Sequence, residues 1–190
     1  MTDHFAFFEE PRQAWLDPER LKEKFVTLSA TVHPDRVHQL SAAEREAAQQ
    51  RYTALNTAYQ CLKEPRLRLR HLLELESGKK PSDLTQVPED LMNLFFHIGK
   101  AFREVDAFLT EKAGATSPLL KVQLFERGMD WTEQLQMLQQ ELTGRRERLL
   151  AGLRETSSPT TALVENTYRL LSFYDRWLAQ VQERIAQLSF

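Results

Sequence analysis

The chain has little of what marks several common classes of protein. It carries one cysteine, Cys61, in 190 residues, so a disulfide cannot form within it. Because its N-terminus also does not resemble a signal peptide, we expect a reducing, cytoplasmic compartment. No apolar run approaches the roughly 18 residues that a membrane-spanning helix needs. These features favour neither a disulfide-stabilised scaffold nor a membrane protein.

The charge balance and the missing chemical motifs limit the possible functions further. A formal net charge of -2 gives no general attraction to nucleic acid or to membranes. The sequence has no glycine-rich phosphate loop, and Glu44 and Glu46 are interpreted as solvated helix residues. The histidines lack metal-ligand spacing, and Cys61 is interpreted as a small buried apolar residue. We therefore expect no enzymatic activity, cofactor, metal site, membrane contact or nucleic-acid partner.

What the sequence does contain is helical periodicity. With only six glycines and apolar residues recurring at spacings of three and four, the pattern predicts an all-α fold. Pro18 suits a first helical position, Ser41 and Glu44 form a capping box, and Gly78 is a natural helix stop. Near the N-terminus, after a short aromatic segment at 3–8, helices are predicted at 18–32, 42–63 and 65–75.

The tripeptide His33-Pro34-Asp35 lies between the first two of these helices. Because Pro34 disfavours helical geometry at His33, the preceding helix is expected to end near Val32. The tripeptide is therefore predicted to lie in an exposed loop between two packed helices.

A polar stretch at 77–87 is predicted to be a linker, since it contains Gly, Lys, Pro, Ser and Asp and few apolar residues. Three long helices with short connections follow, and this pattern predicts an antiparallel three-helix bundle. Their expected ranges are about 88–112, 117–154 and 158–188. The predicted division is thus an N-terminal domain at 1–76, the linker, and a C-terminal domain at 88–190.

Two of the C-terminal helices carry a second apolar row beside the row expected in the core. In the first helix, the expected core row is Leu91, Phe95, Ile98, Phe102, Val105 and Leu109, and the second row is Met92, Phe96 and Gly99. In the last helix, the second row is Leu170, Phe173 and Trp177. Two interpretations remain open: a wide buried face, or an exposed patch that binds a partner protein.

The N-terminal pattern resembles the J-domain. Over nearly its whole length, the chain is similar to the HscB family of J-type co-chaperones of iron–sulfur cluster assembly. The resemblance is strong over 3–75 and mostly architectural from 88 onward. It implies an N-terminal J-domain helical hairpin followed by a C-terminal antiparallel three-helix bundle. The segments that carry it are Asp3-His4-Phe5-Ala6-Phe7-Phe8, the His33-Pro34-Asp35 loop, the run from Leu55 to Leu75, and Leu170-Leu171-Ser172-Phe173-Tyr174-Asp175.

The resemblance also implies a mechanism and two sets of site residues. A family member docks on a DnaK/HscA-class ATPase chaperone, stimulates ATP hydrolysis, and delivers an iron–sulfur cluster scaffold protein as the client. The implied chaperone-binding residues are His33, Pro34, Asp35, Arg36, Lys22 and Lys24. The implied client-binding residues are Leu91, Met92, Phe95, Phe96 and Phe173.

The sequence departs from the family pattern at the expected client face. The family's spaced acidic positions on this helix are occupied by Phe96, Gly99 and Arg103. The face is therefore expected to be more apolar and less negative than in the family. This departure keeps open an alternative function, a general J-domain co-chaperone of protein folding with a different client.

Overall fold

The computed structural model describes residues 2–32, 41–81 and 86–189, so the His33-Pro34-Asp35 loop and Arg36 lie outside the described residues. Across those described ranges the regular elements are all helical, and the predicted all-α class is confirmed. In chain order they are α1 (His4–Phe7), α2 (Pro18–Val32), α3 (Ala42–Lys63), α4 (Pro65–Ser77), a 3-10 turn (Glu89–Leu91), α5 (Met92–Ala113), α6 (Pro118–Glu155) and α7 (Thr161–Leu188).

The described helices include none with both the length and the apolar content needed to cross a membrane.

Local capping explains where the N-terminal helices begin and end. Ser41 Oγ accepts a hydrogen bond from the Glu44 backbone N–H, and the Glu44 carboxylate accepts one from the Ser41 backbone N–H, which completes the predicted capping box. Gly78 adopts the left-handed conformation, with φ of 70°, and ends α4. The prediction that α7 starts near Ser158 was wrong. The helix starts at Thr161, because the Thr160 hydroxyl accepts a hydrogen bond from the Leu163 backbone N–H and caps it.

The chain forms two compact units by its internal contacts. The first unit contains Met1–Ser82 and Leu150–Tyr168, and the second contains Asp83–Leu149 and Arg169–Phe190. The division predicted from the sequence places the whole of 88–190 in one domain, whereas the contacts group 150–168 with the N-terminal helices.

Two side-chain contacts within the first unit agree with this grouping. The Arg154 guanidinium lies 5.4 Å from the centroid of the Trp15 ring. The Thr161 hydroxyl donates a hydrogen bond of 3.3 Å to the Glu76 carboxylate. The end of α6 and the start of α7 therefore pack on the segment before α2 and on α4.

Aromatic side chains hold the first three helices of this unit together. Phe25 of α2 stacks on Tyr59 of α3 with a centroid distance of 4.2 Å, and the centroid of the Phe8 ring lies 6.4 Å from that of the same Tyr59 ring. Phe5 and Phe8 are fully buried. The contact between Phe25 and Tyr59 joins α2 to α3, which the sequence predicts to pack together.

A buried arginine joins α4 to two other parts of the unit. Arg68 Nε donates to the Ala14 carbonyl at 2.9 Å, and Arg68 Nη1 donates to the Leu62 carbonyl at 2.6 Å. Burial lowers the pKa of Arg68 to about 10, so the guanidinium remains charged at neutral pH. These bonds fix the segment before α2 and the C-terminal end of α3 relative to α4.

In the second unit, α5, α6 and α7 share one core. Arg146 contacts Asp175, and Gln139 donates to Gln182, so residue numbers rise on α6 as they fall on α7. These two helices are therefore antiparallel. The bonds from Arg184 to Asp106 and from the Lys112 ammonium to the Leu188 carbonyl show that α5 and α7 run in the same direction. This up-down-up order is that of a three-helix bundle.

Burial separates the two interpretations of the second apolar rows. On α7, Leu170, Phe173 and Trp177 are buried in the core, so the wide buried face is the correct interpretation there. On α5, the prediction that Phe95 lies in the core was wrong, because Phe95 is 40% exposed. The observed core row begins at Leu91, in the 3-10 turn, and continues on α5 with Leu94, Ile98, Phe102, Val105 and Phe108. Both α5 rows have helical spacing, so periodicity alone does not separate them.

Replacing Arg68 with methionine tests the structural role of this arginine. The change removes two charge-assisted hydrogen bonds and leaves the Ala14 and Leu62 carbonyls buried without their donor. We expect the free energy of unfolding to fall by about 3 kcal/mol, measured by urea denaturation followed by circular dichroism. The matched control, Arg51→Met at an exposed position of α3, should change it by less than about 0.5 kcal/mol. Equal effects of the two substitutions would contradict the assignment.

Candidate functional site

Two lysines of α2, Lys22 and Lys24, are expected to bind the chaperone, and only Lys22 is well exposed. The Lys24 ammonium lies 3.0 Å from the Glu10 carboxylate and 3.1 Å from the Glu9 carbonyl, and the Glu10 side chain is nearly buried. Lys22 is well exposed and lies 3.8 Å from an equally exposed Glu19, an ion pair of little energetic value. Lys22 therefore presents its charge to solvent, while Lys24 anchors α2 to the turn before it.

The structure fixes both ends of the stretch that contains the expected chaperone-binding loop. The last residue of α2 is Val32, and the capping box of α3 begins at Ser41. Between them, His33, Pro34, Asp35 and Arg36 remain predicted site residues, since no described residue reports on them.

The first part of α5 presents an apolar surface formed by Met92, Phe95 and Phe96, here called the α5 apolar face. Phe96 is 63% exposed, and its ring lies 5.7 Å from that of Phe95 in an edge-on arrangement. Two other residues expected to bind the client are not part of this surface. Leu91 is 2% exposed and Phe173 is 4% exposed, so both pack in the core and support the face from within the bundle.

Charged groups of opposite sign lie at the two ends of the α5 apolar face. Glu89 and Asp90 are exposed in the 3-10 turn that precedes α5. About three turns further along, Arg103 is exposed, and its guanidinium lies 3.7 Å from the place where a Cβ of Gly99 would stand. Arg103 therefore lies along the helix beside Gly99, where an added Cβ would make only an ordinary van der Waals contact with it.

A second exposed apolar surface, which was not predicted from the sequence, lies on α6. Val122, Phe125 and Met129 are each about three-fifths exposed or more, and they follow one another at helical spacing. Phe125 and Met129 line a groove of about 920 Å³ within the second unit. The spacing of three and four residues between them was the available signal in the sequence.

The spacing of the histidines in the sequence does not indicate that any of them lies near Cys61. His4, Cys61 and His71 lie on three different helices, yet each offers a ligand atom within 4.8 Å of the other two. The three helices pack together, so residues far apart in sequence meet in the first unit.

Comparison with known proteins gives a consistent set of relatives. The chain is 44% identical to the co-chaperone protein HscB homolog of Bordetella pertussis over 72 residues, which are 38% of this chain and 42% of that protein. It is 33% identical to the HscB homolog of Mannheimia succiniciproducens over 91 residues, covering 48% and 53% of the two chains. The resemblance to HscB co-chaperones is confirmed. No family model matches the chain, and the sequence matches span about half the length of these curated relatives or less.

Solved HscB structures extend the likeness of the fold beyond the matched stretch of sequence. HscB from Vibrio cholerae aligns over 98% of this chain and 99% of its own, with a TM-score of 0.56 and 22% identity. Human HscB aligns over 98% and 81%, with a TM-score of 0.58 and 20% identity. At such low identity these neighbours show the fold alone. The HscB-like fold therefore includes α5, the helix that carries the α5 apolar face.

The exposure of Phe96 predicts that this side chain contributes little to folding. We expect Phe96→Ala to change the free energy of unfolding by less than about 0.5 kcal/mol. On the same helix, Ile98→Ala should lower it by about 2–5 kcal/mol, because the Ile98 side chain is buried and its loss leaves a cavity. Urea denaturation of both variants measures the difference. A large loss for Phe96→Ala would mean that the ring is part of the core.

Proposed function

We propose that this chain is a J-type co-chaperone that stimulates the ATPase of a DnaK/HscA-class chaperone and delivers an iron–sulfur cluster scaffold protein to it. The observation that carries the proposal is the 44% identity to curated HscB co-chaperones, supported by an HscB-like fold over 98% of the chain. In this proposal the chain is a cytoplasmic binding and regulatory protein with no enzymatic activity of its own.

The proposed chaperone contact depends on His33-Pro34-Asp35, which the sequence predicts to lie in an exposed loop between α2 and α3. Pro34 limits the conformations of the free loop, so less entropy is lost on docking. The carboxylate of Asp35 suits a charge-assisted pair with an arginine of the chaperone. His33 adds a directional polar contact, and the exposed Lys22 adds positive charge that speeds encounter with an acidic surface.

The proposed client contact is the α5 apolar face. Exposed aromatic and methionine side chains are common at the centres of protein interfaces, where burying them provides much of the binding free energy. Because the centre of this face is apolar, salt should weaken client binding less than it weakens a contact between charged groups. At one end of this face, Glu89 and Asp90 provide exposed negative charge.

One observation favours a second candidate function, a general J-domain co-chaperone of protein folding. At the positions where the HscB family pattern is acidic, this chain has Phe96, Gly99 and Arg103. A basic scaffold surface would meet less complementary charge here than in the family. The two functions differ in the client, so adding a cluster scaffold to the same ATPase measurement separates them.

Substituting Asp35 with asparagine tests the proposed chaperone contact. The change keeps the shape of the side chain and removes its charge, so we expect at least a tenfold loss of stimulation of chaperone ATP turnover in a steady-state assay. Asp130→Asn, at an exposed position of α6, is the matched control and should stimulate like the unmodified chain. Full stimulation by Asp35→Asn would contradict the proposed J-type function.

Truncating Phe96 tests the proposed client contact in the same assay. With the unmodified chain, adding an iron–sulfur cluster scaffold should raise ATP turnover above the level given by the co-chaperone alone. Phe96→Ala should increase the scaffold concentration needed for half of this effect by about tenfold, because an exposed aromatic anchor is lost. Stimulation without scaffold should persist.

The control for this experiment is Met137→Ala, an equally exposed apolar residue on α6, which should leave the scaffold response unchanged. An unchanged response in Phe96→Ala would show that the client binds elsewhere. Stimulation by the unmodified chain with no response to scaffold would support the general J-domain co-chaperone instead.

A further inference from the structure

Three metal-ligating side chains meet inside the first unit, and none of them is among the residues proposed to contact the chaperone or the client. His4 opens α1, Cys61 lies in the last turn of α3, and His71 lies in the middle of α4. One ligand atom from each lies within 4.8 Å of the other two. The His4 and His71 rings are 4.5 Å apart between centroids, and the His4 backbone N–H donates to His71 Nε2 at 3.1 Å.

A second observation at this cluster concerns the His4 ring. Its Nδ1 atom is buried and has no hydrogen-bond partner among the described residues. A buried polar atom of this kind ordinarily costs about 1–3 kcal/mol, and buried polar groups in native proteins are nearly always paired. Coordination of a metal ion would satisfy this nitrogen.

The protonation states of the two imidazoles suit metal binding. Burial lowers the pKa of both His4 and His71, and the neighbouring His4 lowers that of His71 further. Both rings are therefore neutral at pH 7 and carry a lone pair. Burial, with a contribution from Glu74, raises the pKa of the Cys61 thiol to about 11. The charged groups around the three ligands are Asp3, Arg12, Arg68, Arg70, Glu74 and Lys80.

The donor set selects the kind of metal. One thiolate and two imidazoles suit Zn²⁺, whereas Mg²⁺ and Ca²⁺ prefer oxygen ligands. With ordinary zinc bond lengths, tetrahedral geometry places such ligand atoms about 3.3–3.6 Å apart, so the three side chains would move inward by about 1 Å. A cavity of about 600 Å³ borders all three residues and leaves room for water as a fourth ligand.

We propose that the first unit binds one Zn²⁺ ion through Cys61 Sγ, His4 Nδ1 and an imidazole nitrogen of His71, with water as the fourth ligand. On binding, the Cys61 thiol releases its proton to solvent and gives up its 3.7 Å contact with the Leu67 carbonyl. A neutral imidazole has one lone pair, so the metal also replaces the hydrogen bond from the His4 backbone N–H to His71. The bound ion links α1, α3 and α4.

Titration of the tag-free full chain with Co²⁺ and then Zn²⁺ tests the proposal. Tetrahedral Co²⁺ with a thiolate ligand gives visible ligand-field bands and a near-ultraviolet charge-transfer band. We expect these bands to saturate at one Co²⁺ per chain and to disappear when Zn²⁺ displaces the cobalt. Cys61→Ser should abolish the charge-transfer band, and His97→Gln, at an exposed histidine of α5, should leave it unchanged.

The dependence of affinity on pH provides a second measurement. Because binding releases the Cys61 proton, the apparent Zn²⁺ affinity should rise about tenfold per pH unit between pH 7 and 8. Circular dichroism verifies that each variant is folded. If Cys61→Ser does not fold, the loss of the cobalt bands in folded His4→Asn is the deciding measurement instead. Absence of the charge-transfer band in the unmodified chain, or its persistence in folded Cys61→Ser or His4→Asn, would overturn the proposal.

Discussion

The stacking of Phe25 on Tyr59 is the contact on which the N-terminal unit depends. An aromatic pair of this kind contributes about 0.5–1.5 kcal/mol beyond the apolar area that it buries, and this one joins the middle of α2 to the end of α3. Phe8 brings α1 against the same side of α3. With both helices fixed, the ends of the stretch 33–40 are fixed as well. Any function assigned to the His33-Pro34-Asp35 loop therefore rests on apolar packing several turns away from it.

The fold could be predicted from the sequence wherever local chemistry decides it. Pro18 and the capping box at Ser41 act through neighbouring backbone groups, and both helix starts were predicted correctly. The start of α7 was not, because Ser158 and Thr160 are both acceptable caps and local sequence does not choose between them. The core position of Phe95 was wrong for a related reason: two rows on α5 have helical spacing, and only packing against α6 and α7 selects one.

The candidate sites show the same division between local and long-range information. An exposed row such as Met92 and Phe96 has a signal in the sequence, since it repeats at helical spacing, but its exposure depends on the rest of the bundle. Phe173 was expected to bind the client, but it is buried because the core shared by α5, α6 and α7 is wide enough to include it. The cluster of His4, Cys61 and His71 has no local signal at all, because His4 and His71 are 67 positions apart and meet only through packing of α1, α3 and α4.

The two compact units also separate the residues proposed for the two partners. Lys22 and the helices that flank the loop belong to the first unit, whereas the α5 apolar face belongs to the second. Each unit has its own buried core, the second one built from α5, α6 and α7. The two units are joined by α6 and α7, each of which contributes residues to both of them. Substitutions that share no partner have nearly additive effects, so the contributions of the chaperone contact and the client contact can be measured separately in one chain.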